Sequence, residues 1–165
     1  MTPLKVMVTG HRNLPNQEGV EGVLRLILER ILVRESAPIA ISGMAMGADL
    51  IFAEVALSLD IPLWAAIPLE NQSEDWPFSW QKRWEKVLRR ASRKISVWEE
   101  PNYQGFSQRE RLLNRNLWML DNSEVIVAVW DGRLRGGTFH TIAEAGRRGR
   151  RFLHLNPKTL ILRAG

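Results

Sequence analysis

Short runs rich in β-branched residues alternate along this chain with longer stretches whose apolar residues recur at helical spacing. The segment Val125–Val129 is apolar at every position, as expected of a central parallel strand that helices cover on both faces. The alternation predicts an α/β fold, a Rossmann-like three-layer sandwich with a mainly parallel central sheet. The length of 165 residues and a hydrophobic content of 45% suit one core, so we expect a single domain over residues 1–165.

Apolar spacing and turn residues place the predicted elements. We predict strands at residues 4–9, 38–42, 61–67, 94–98, 124–130 and 151–155. We predict helices at residues 17–35, 49–59, 79–92, 107–122 and 138–148. A polar loop at 68–77 follows the third strand, at the sheet edge where α/β proteins bind ligands. Trp76 in this loop is predicted to stack on a base, whereas Trp80 and Trp84, four residues apart, favour a packed helix face or a dimer surface.

Two glycine-centred turns each follow a predicted strand and precede a predicted helix. Glycine allows positive φ and close approach of the backbone to a ligand, and the first N–H groups of a helix favour an anion. We predict that both turns contact the phosphates of one nucleotide, although glycine also occurs in ordinary strand-to-helix connections. The first turn contributes Ser42, Gly43, Gly47 and Asp49, and the second contributes Asp131, Gly136, Gly137 and Thr138.

The chain is basic, with a formal net charge of +5 and a pI of about 10.2. The run Arg147–Arg151 carries four of the arginines and suggests a nucleic-acid contact. The same run suits the end of a helix, where arginines complement the helix dipole. A polyphosphate ligand would also attract this charge.

Composition excludes several classes of function. The chain has no cysteine, which removes disulfides, thiolate zinc sites and cysteine nucleophiles. The three histidines are too dispersed for a zinc site, so we predict no metal site, and any magnesium would arrive with the phosphates of a ligand. No signal peptide and no apolar run of membrane-spanning length are evident, so we expect a cytoplasmic protein without a membrane partner.

Five segments in order along the chain resemble the YpsA-type branch of the SLOG superfamily. They are Val8–Arg12, Ser42–Asp49, Asn71–Trp76, Arg115–Ser123 and Asp131–Thr138. This superfamily joins the DNA-processing protein DprA with the LOG phosphoribohydrolases. The resemblance implies a Rossmann-like domain that binds a nucleotide or nucleotide derivative, with activities that differ between branches.

The resemblance also implies roles for particular residues. Gly43 and Gly47 match the DprA-type turn and would approach a phosphate, with Asp49 as a helix cap or a ligand of a hydroxyl group. Arg115 resembles the arginine that contacts the phosphoribosyl group in the LOG enzymes, and Asn116 beside it is a further ligand candidate. A guanidinium group can hold a phosphate through two hydrogen bonds.

The chain departs from the LOG catalytic motif, which ends in two glutamates. In one register His140 and Thr141 occupy those positions, and in the other register Ile142 and Ala143 occupy them. Glu144 is the only acid in this predicted helix, so it is the catalytic candidate beside Arg115, although it also suits an intrahelical ion pair with a following arginine. Without the glutamate pair, hydrolysis of an N-glycosidic bond is in doubt.

The end of the first predicted strand supplies the remaining ligand candidates. Thr9, Gly10, His11 and Arg12 lie at the usual ligand edge of such a sheet, where a histidine and an arginine can meet a phosphate or a base.

Three functions are compatible with these residues. The leading hypothesis is a sensor or carrier that binds a small nucleotide derivative, such as an ADP-ribose-like compound or a nucleoside phosphate. The alternative is an enzyme that acts at an N-glycosidic bond, and the third is a DprA-like nucleic-acid binder that uses Arg133, Arg135 and the Arg147–Arg151 run. The resemblance also implies a homodimer, because members of the superfamily often pair through helices. The apolar helix at 20–32 suits either the core or such an interface, and sequence cannot separate these two.

Overall fold

A seven-stranded sheet forms the middle layer of the structure, a computed structural model that describes residues 2–165. The strands are β1 (Lys5–Gly10), β2 (Ile39–Ser42), β3 (Leu63–Ile67), β4 (Arg93–Ser96), β5 (Val125–Val129), β6 (Leu153–Leu155) and β7 (Leu162–Ala164). Their spatial order is β4-β3-β2-β1-β5-β6-β7. The first six are parallel, and β7 pairs antiparallel with β6.

Five helices cover the two faces of the sheet. They are α1 (Gln17–Arg34), α2 (Ala48–Ser58), α3 (Phe78–Arg90), α4 (Gln108–Asp121) and α5 (Gly137–Arg147). Side chains of β1 alternate between the two layers: Val6 and Val8 pack with α1, α2 and α3, whereas Met7 packs with α4 and α5. The predicted three-layer α/β sandwich is therefore confirmed. Among residues 2–165, none of the helices has the length and hydrophobicity that a membrane span requires.

The strand order reverses between β1 and β5. From β1 the chain builds outward through β2, β3 and β4, and it then returns to place β5 on the other side of β1. At such a switch point the connections leave to opposite sides, which opens a crevice at the carboxyl ends of the two strands. This crevice lies between the start of α2, the start of α5 and one face of α4.

The apolar stripe of α1 belongs to the core. Val20, Leu24 and Leu28 are buried against the sheet, which resolves the choice between core and interface for this stripe. Leu26 and Val33 lie on the outer side of the helix and are exposed. The homodimer remains a prediction, and the apolar stripe of α1 no longer supports it, because the stripe is buried in the core.

Most predicted elements lie within two residues of the observed ones, and two differ in kind. The strand predicted at 94–98 is cut short because Val97–Glu99 forms a short 3-10 helix. The strand predicted at 151–155 does not end the sheet, since β7 follows it. All three residues of β7 are exposed, so it lacks the apolar alternation that identifies a strand in sequence.

Close packing at the end of β1 gives a test of this arrangement. A Cβ atom on Gly10 would lie 2.5 Å from the Ala48 Cβ and 2.8 Å from the Val129 Cβ, so we expect Gly10→Ala to destabilise the fold by about 1–3 kcal/mol. Gly22 lies within α1, and a Cβ atom there would meet nothing within 4 Å. Gly22→Ala should therefore stabilise by roughly 0.5–1 kcal/mol through helix propensity. Urea unfolding measures both, and a neutral Gly10→Ala would contradict the contact between α2 and the sheet.

Candidate functional site

The crevice at the switch point is a cleft of about 760 Å³. Loops after β1 and β5, the starts of α2 and α5, and one side of α4 form its walls. The lining residues are Thr9, Gly10, His11, Arg12, Ala45, Asp49, Gln108, Arg109, Leu112, Leu113, Arg115, Asn116, Met119, Arg133, Arg135, Gly136, Gly137, Thr138 and His140.

Positive charge dominates this cleft. Its lining arginines come from the loops after β1 and β5 and from α4, and they are Arg12, Arg109, Arg115, Arg133 and Arg135. Asp49 is the single carboxylate among the lining residues. Such an excess of guanidinium groups raises the local concentration of anions and favours a ligand with more than one negative charge.

The second glycine turn opens onto the cleft. Gly136 has φ of +91°, and no side chain caps the start of α5 that follows it. A Cβ atom on Gly136 or Gly137 would meet nothing within 4 Å. The space beside these residues is therefore free, and the first N–H groups of α5 are available to an anion. Thr138 lines the same end of the cleft.

The first glycine turn packs against protein instead. Gly47 has φ of +82°, and a Cβ atom there would lie 2.5 Å from the His11 carbonyl oxygen. The Ala48 N–H donates to the same oxygen at 3.1 Å, so the loop after β1 occupies the position predicted for a phosphate. Gly43 and Gly47 are both absent from the cleft lining. The geometry thus gives these glycines a packing role in place of the predicted phosphate contact.

A buried arginine joins this turn to α4. Arg115 donates from Nη1 to the Gly43 carbonyl oxygen and from Nε to Oδ1 of Asn116 at 2.8 Å. The Nη2 atom of Arg115 has no acceptor among the described residues. Every buried side-chain nitrogen and oxygen of residues 2–165 has a hydrogen-bond partner, so Nη2 is not buried. Because Arg115 lines the cleft, Nη2 is accessible from there. Burial lowers the pKa of Arg115, and the nearby charge of Asp49 opposes that shift.

Asp49 is the buried acid of the site. Its Oδ2 accepts from the Ala45 N–H at 3.3 Å, and the residue lines the cleft with 5% of its surface exposed. Burial raises the pKa of Asp49 to about 6, against the opposing charge of Arg115. The carboxyl group therefore changes charge at about pH 6, at the position where the sequence predicts a hydroxyl ligand.

Two other predicted residues of this region lie in the core. Ser42 is buried and donates from Oγ to the Asp49 carbonyl oxygen at 2.8 Å. Trp76 is 8% exposed, packs in the core and does not line the cleft, so its ring has no free face for a base. The polar loop that carries Trp76 contacts the first glycine turn through Gln72. The Gln72 side chain donates to the Gly43 carbonyl oxygen at 2.9 Å and accepts from Trp84 Nε1 at 3.1 Å.

Asp131 anchors the second turn from outside the cleft. Its carboxylate accepts from Nε and Nη2 of Arg133, and these hydrogen bonds hold the pKa of Asp131 well below its usual range. Its backbone N–H donates to Nε2 of His11 at 3.0 Å. Burial lowers the pKa of His11, which agrees with a neutral ring that accepts this bond. The predicted ligand role of Asp131 becomes, in this geometry, the positioning of the loop that carries Arg133 and Arg135.

Glu144 also lies outside the cleft. It accepts from Nε of Arg147 at 3.0 Å and from Nε of Arg148 at 3.1 Å, and these bonds lower the pKa of Glu144. Arg150 donates to the carbonyl oxygens of Leu120 and Ser123 at the end of α4. The basic run is thus largely engaged within the protein, and Glu144 does not face Arg115 across the cleft.

The cleft therefore brings together only part of the predicted set. It contains Thr9, Gly10, His11, Arg12, Asp49, Arg115, Asn116, Gly136, Gly137 and Thr138. It also contains residues of α4 that were not predicted, namely Gln108, Arg109, Leu112 and Leu113. Gln108 and Leu112 lie seven and three residues before Arg115, so helical spacing from that residue could have identified these two.

Comparisons with known proteins agree with this fold. A family model described as the YspA SLOG family (YpsA) matches residues 6–151. The DNA processing protein A (DprA) of Streptococcus pneumoniae aligns with a TM-score of 0.67 and 19% identity over 93% of this chain and 50% of that one. DprA of Helicobacter pylori, described by its single-stranded DNA binding mode, aligns with a TM-score of 0.69 and 19% identity over 94% of this chain and 66% of that one.

A third structure widens the range of functions on this fold. The Moco carrier protein of Chlamydomonas rheinhardtii aligns with a TM-score of 0.57 and 15% identity over 96% of this chain and 80% of that one. None of the curated proteins matches the chain. The chain spans about half of the pneumococcal protein and less than two thirds of the Helicobacter one, and at these identities the likeness concerns the fold alone.

Burial of Asp49 predicts a pH-dependent effect on stability. The pKa of Asp49 is about 6 in the folded protein and 3.8 for an aspartate in water, so the free energy of unfolding falls as the pH rises between these values. The full loss, on the order of 3 kcal/mol, is present above pH 6. Asp49→Asn keeps an acceptor for the Ala45 N–H and removes the charge. We expect this variant to be more stable than wild type at pH 8 and equal to it near pH 4.

Urea unfolding at several pH values measures this difference. Asp60→Asn is the matched control, because Asp60 is exposed and the same substitution there should give no such pH-dependent gain. A destabilised Asp49→Asn at pH 8 would show that the ionised carboxylate supports the fold through Arg115.

Proposed function

We propose that this chain, which belongs to the YspA SLOG family, binds a nucleotide or nucleotide derivative in its cleft through the phosphate groups. Sensing or carrying such a ligand is the role we infer. One observation carries the proposal: the uncapped start of α5, with open space beside Gly136 and Gly137, lies in a cleft that five arginines and one carboxylate line.

The phosphate position follows from the second turn. An anion at the start of α5 would accept from free backbone N–H groups and gain from the helix dipole. Arg133 and Arg135 lie within this turn, between Asp131 and Gly136, and both line the cleft. Arg133 is bound to Asp131, so Arg135 is the lining arginine of this loop that a phosphate would engage first.

The opposite wall suits the sugar of the ligand. Arg115 and Asp49 flank the same point, since a Cβ atom on Gly43 would lie 2.8 Å from both Nη1 and Oδ2. The Oδ1 atom of Asp49 accepts from no donor within residues 2–165. Every buried side-chain oxygen of the described residues has a partner, so Oδ1 is not buried and is accessible from the cleft as an acceptor. A ribose hydroxyl would donate to this oxygen, which retains the predicted hydroxyl role of Asp49.

The enzymatic alternative is weaker in this geometry. Stabilising the charge that develops when an N-glycosidic bond breaks, and activating water, are tasks that the LOG motif gives to two glutamates. Glu144 is paired with arginines outside the cleft, and Asp49 is the single carboxylate inside it. We therefore favour binding over turnover.

Single-stranded DNA is the competing ligand, because it also presents phosphates and because one structural neighbour is described by that binding mode. The basic run that suggested it is largely engaged, with Arg148 bound to Asp121 and Glu144 and Arg150 bound to carbonyl oxygens. The exposed arginines Arg12, Arg109 and Arg135 remain available to either ligand.

Filling the second turn tests the proposal. Gly137 is outside the positive-φ region and has open space at its Cβ position, so Gly137→Trp should fold and occupy the phosphate position. We expect it to weaken binding of AMP, ADP or ADP-ribose by about tenfold or more in isothermal titration calorimetry. Gly146→Trp is the control, since Gly146 lies near the other end of α5 and its Cβ position is also open.

The same titrations separate the competing functions. Absence of binding by every nucleotide, or equal losses in both tryptophan variants, would contradict the proposal. Binding of an oligodeoxynucleotide with a steep dependence on salt, without nucleotide binding, would favour the DNA reading.

A further inference from the structure

The cleft continues into a smaller cavity of about 200 Å³ between α4 and α5. Leu113, Asn116 and His140 line both cavities, so the two form one continuous surface. We call the smaller cavity the side pocket; beyond the shared residues it is bounded by Leu117, Leu120 and Thr141, with Glu144 and Arg147 at its far end.

The side pocket differs from the cleft in chemistry. Leu113, Leu117 and Leu120 lie at helical spacing on α4 and give it an apolar wall. Its two charged residues neutralise each other, since Arg147 Nε donates to Glu144 Oε2 at 3.0 Å. A ligand that fills both cavities would therefore carry its negative charge at one end and an apolar surface at the other.

Asn116 supplies a directed donor at the boundary. Its Oδ1 accepts from Arg115 Nε at 2.8 Å, which fixes the orientation of the amide group. Its amide nitrogen donates to no protein acceptor, and because no buried side-chain nitrogen within residues 2–165 lacks a partner, that nitrogen is accessible. An amide N–H in this position suits an acceptor atom on the edge of a planar ring.

The spacing along α5 links the two ends. Gly137 begins the helix at the proposed phosphate position, and Thr141 lies four residues, about 6 Å, further along in the side pocket. A ribose bridges a separation of this kind between a phosphate and a base.

We propose that the side pocket binds the nitrogen heterocycle of the same ligand whose phosphates bind at the start of α5. The leucines of α4 pack against one face of the ring, and the Asn116 amide donates to a ring nitrogen or exocyclic oxygen. This assignment rests on the proposed function and deepens it, because it makes the ligand a base-containing nucleotide and not a sugar phosphate. The cleft would then discriminate AMP from ribose 5-phosphate through α4.

A substitution confined to the side pocket tests the assignment. Leu117 lines this pocket and not the cleft, and it is partly exposed, so Leu117→Trp would fill the pocket without altering the arginines. We expect it to weaken AMP binding by about tenfold or more and to leave ribose 5-phosphate binding unchanged, as measured by calorimetry. Leu26→Trp is the matched control, because Leu26 is exposed on α1 at the opposite face of the sheet.

A second variant guards against a folding defect. Leu117→Ala removes contact area without adding bulk, so we expect a weaker loss for AMP, roughly threefold, and again none for ribose 5-phosphate. Equal AMP affinity in wild type and Leu117→Trp would overturn the assignment. Equal losses for both ligands in both Leu117 variants would overturn it as well, because the pocket would then not distinguish the base.

Two further outcomes have separate meanings. If wild type binds neither AMP nor ribose 5-phosphate, the proposed function fails, and this assignment fails with it. If both bind and only the discrimination is absent, the phosphate site stands and the base pocket alone is refuted. Sedimentation velocity tests whether a second copy of the chain fills the side pocket in place of a base. If Leu117→Trp converts a dimer to a monomer, the pocket is part of a dimer interface and the assignment is overturned.

Discussion

The hydrogen bonds on the carbonyl oxygen of Gly43 hold the ligand edge of this protein together. Arg115 from α4 and Gln72 from the loop after β3 both donate to this one atom. Three segments that are distant in sequence thereby converge on the turn after β2. A buried guanidinium group is expensive to desolvate, and this cost is offset because Nη1 and Nε of Arg115 both find acceptors. Glycine at position 43 is required, since a Cβ atom would occupy the space that Arg115 and Asp49 use.

Two turns of similar sequence have become different structures because their surroundings differ. The start of α2 is covered by the loop after β1, which takes the Ala48 N–H and fills the space beside Gly47. No group of the described residues covers the start of α5. The loop before it is fixed by hydrogen bonds of Asp131, whose N–H donates to His11 and whose carboxylate accepts from Arg133. One turn therefore builds the wall of the cleft, and the other presents free backbone donors to it. Sequence describes a turn, but the neighbouring loop determines what that turn contacts.

Local patterns were enough to predict the layers of this fold. The unbroken apolar run of β5 identified a central parallel strand, as expected. The apolar stripe of α1 identified a helix, but its burial in the core was shown only by the structure. Short exposed segments lack such a signal, which is why β7 was missed.

The candidate site was less predictable, because side-chain direction depends on tertiary packing. Trp76 follows a polar loop and points into the core, and Glu144 is captured by the arginines that follow it. The face of α4 around Arg109 and Leu112 was visible as a periodic pattern, but only the position of α4 over the switch point shows that this face meets a cleft.

The edges of the sheet have a consequence for how copies of this protein meet. An open edge strand offers unpaired backbone groups to another chain, and natural sheets counter this with short strands and charged side chains. Here one edge is β4, whose Arg93 and Lys94 are exposed, and the other is the three-residue β7, which carries the exposed Arg163. Like charges at both edges oppose pairing of the sheet of one molecule with the sheet of the next.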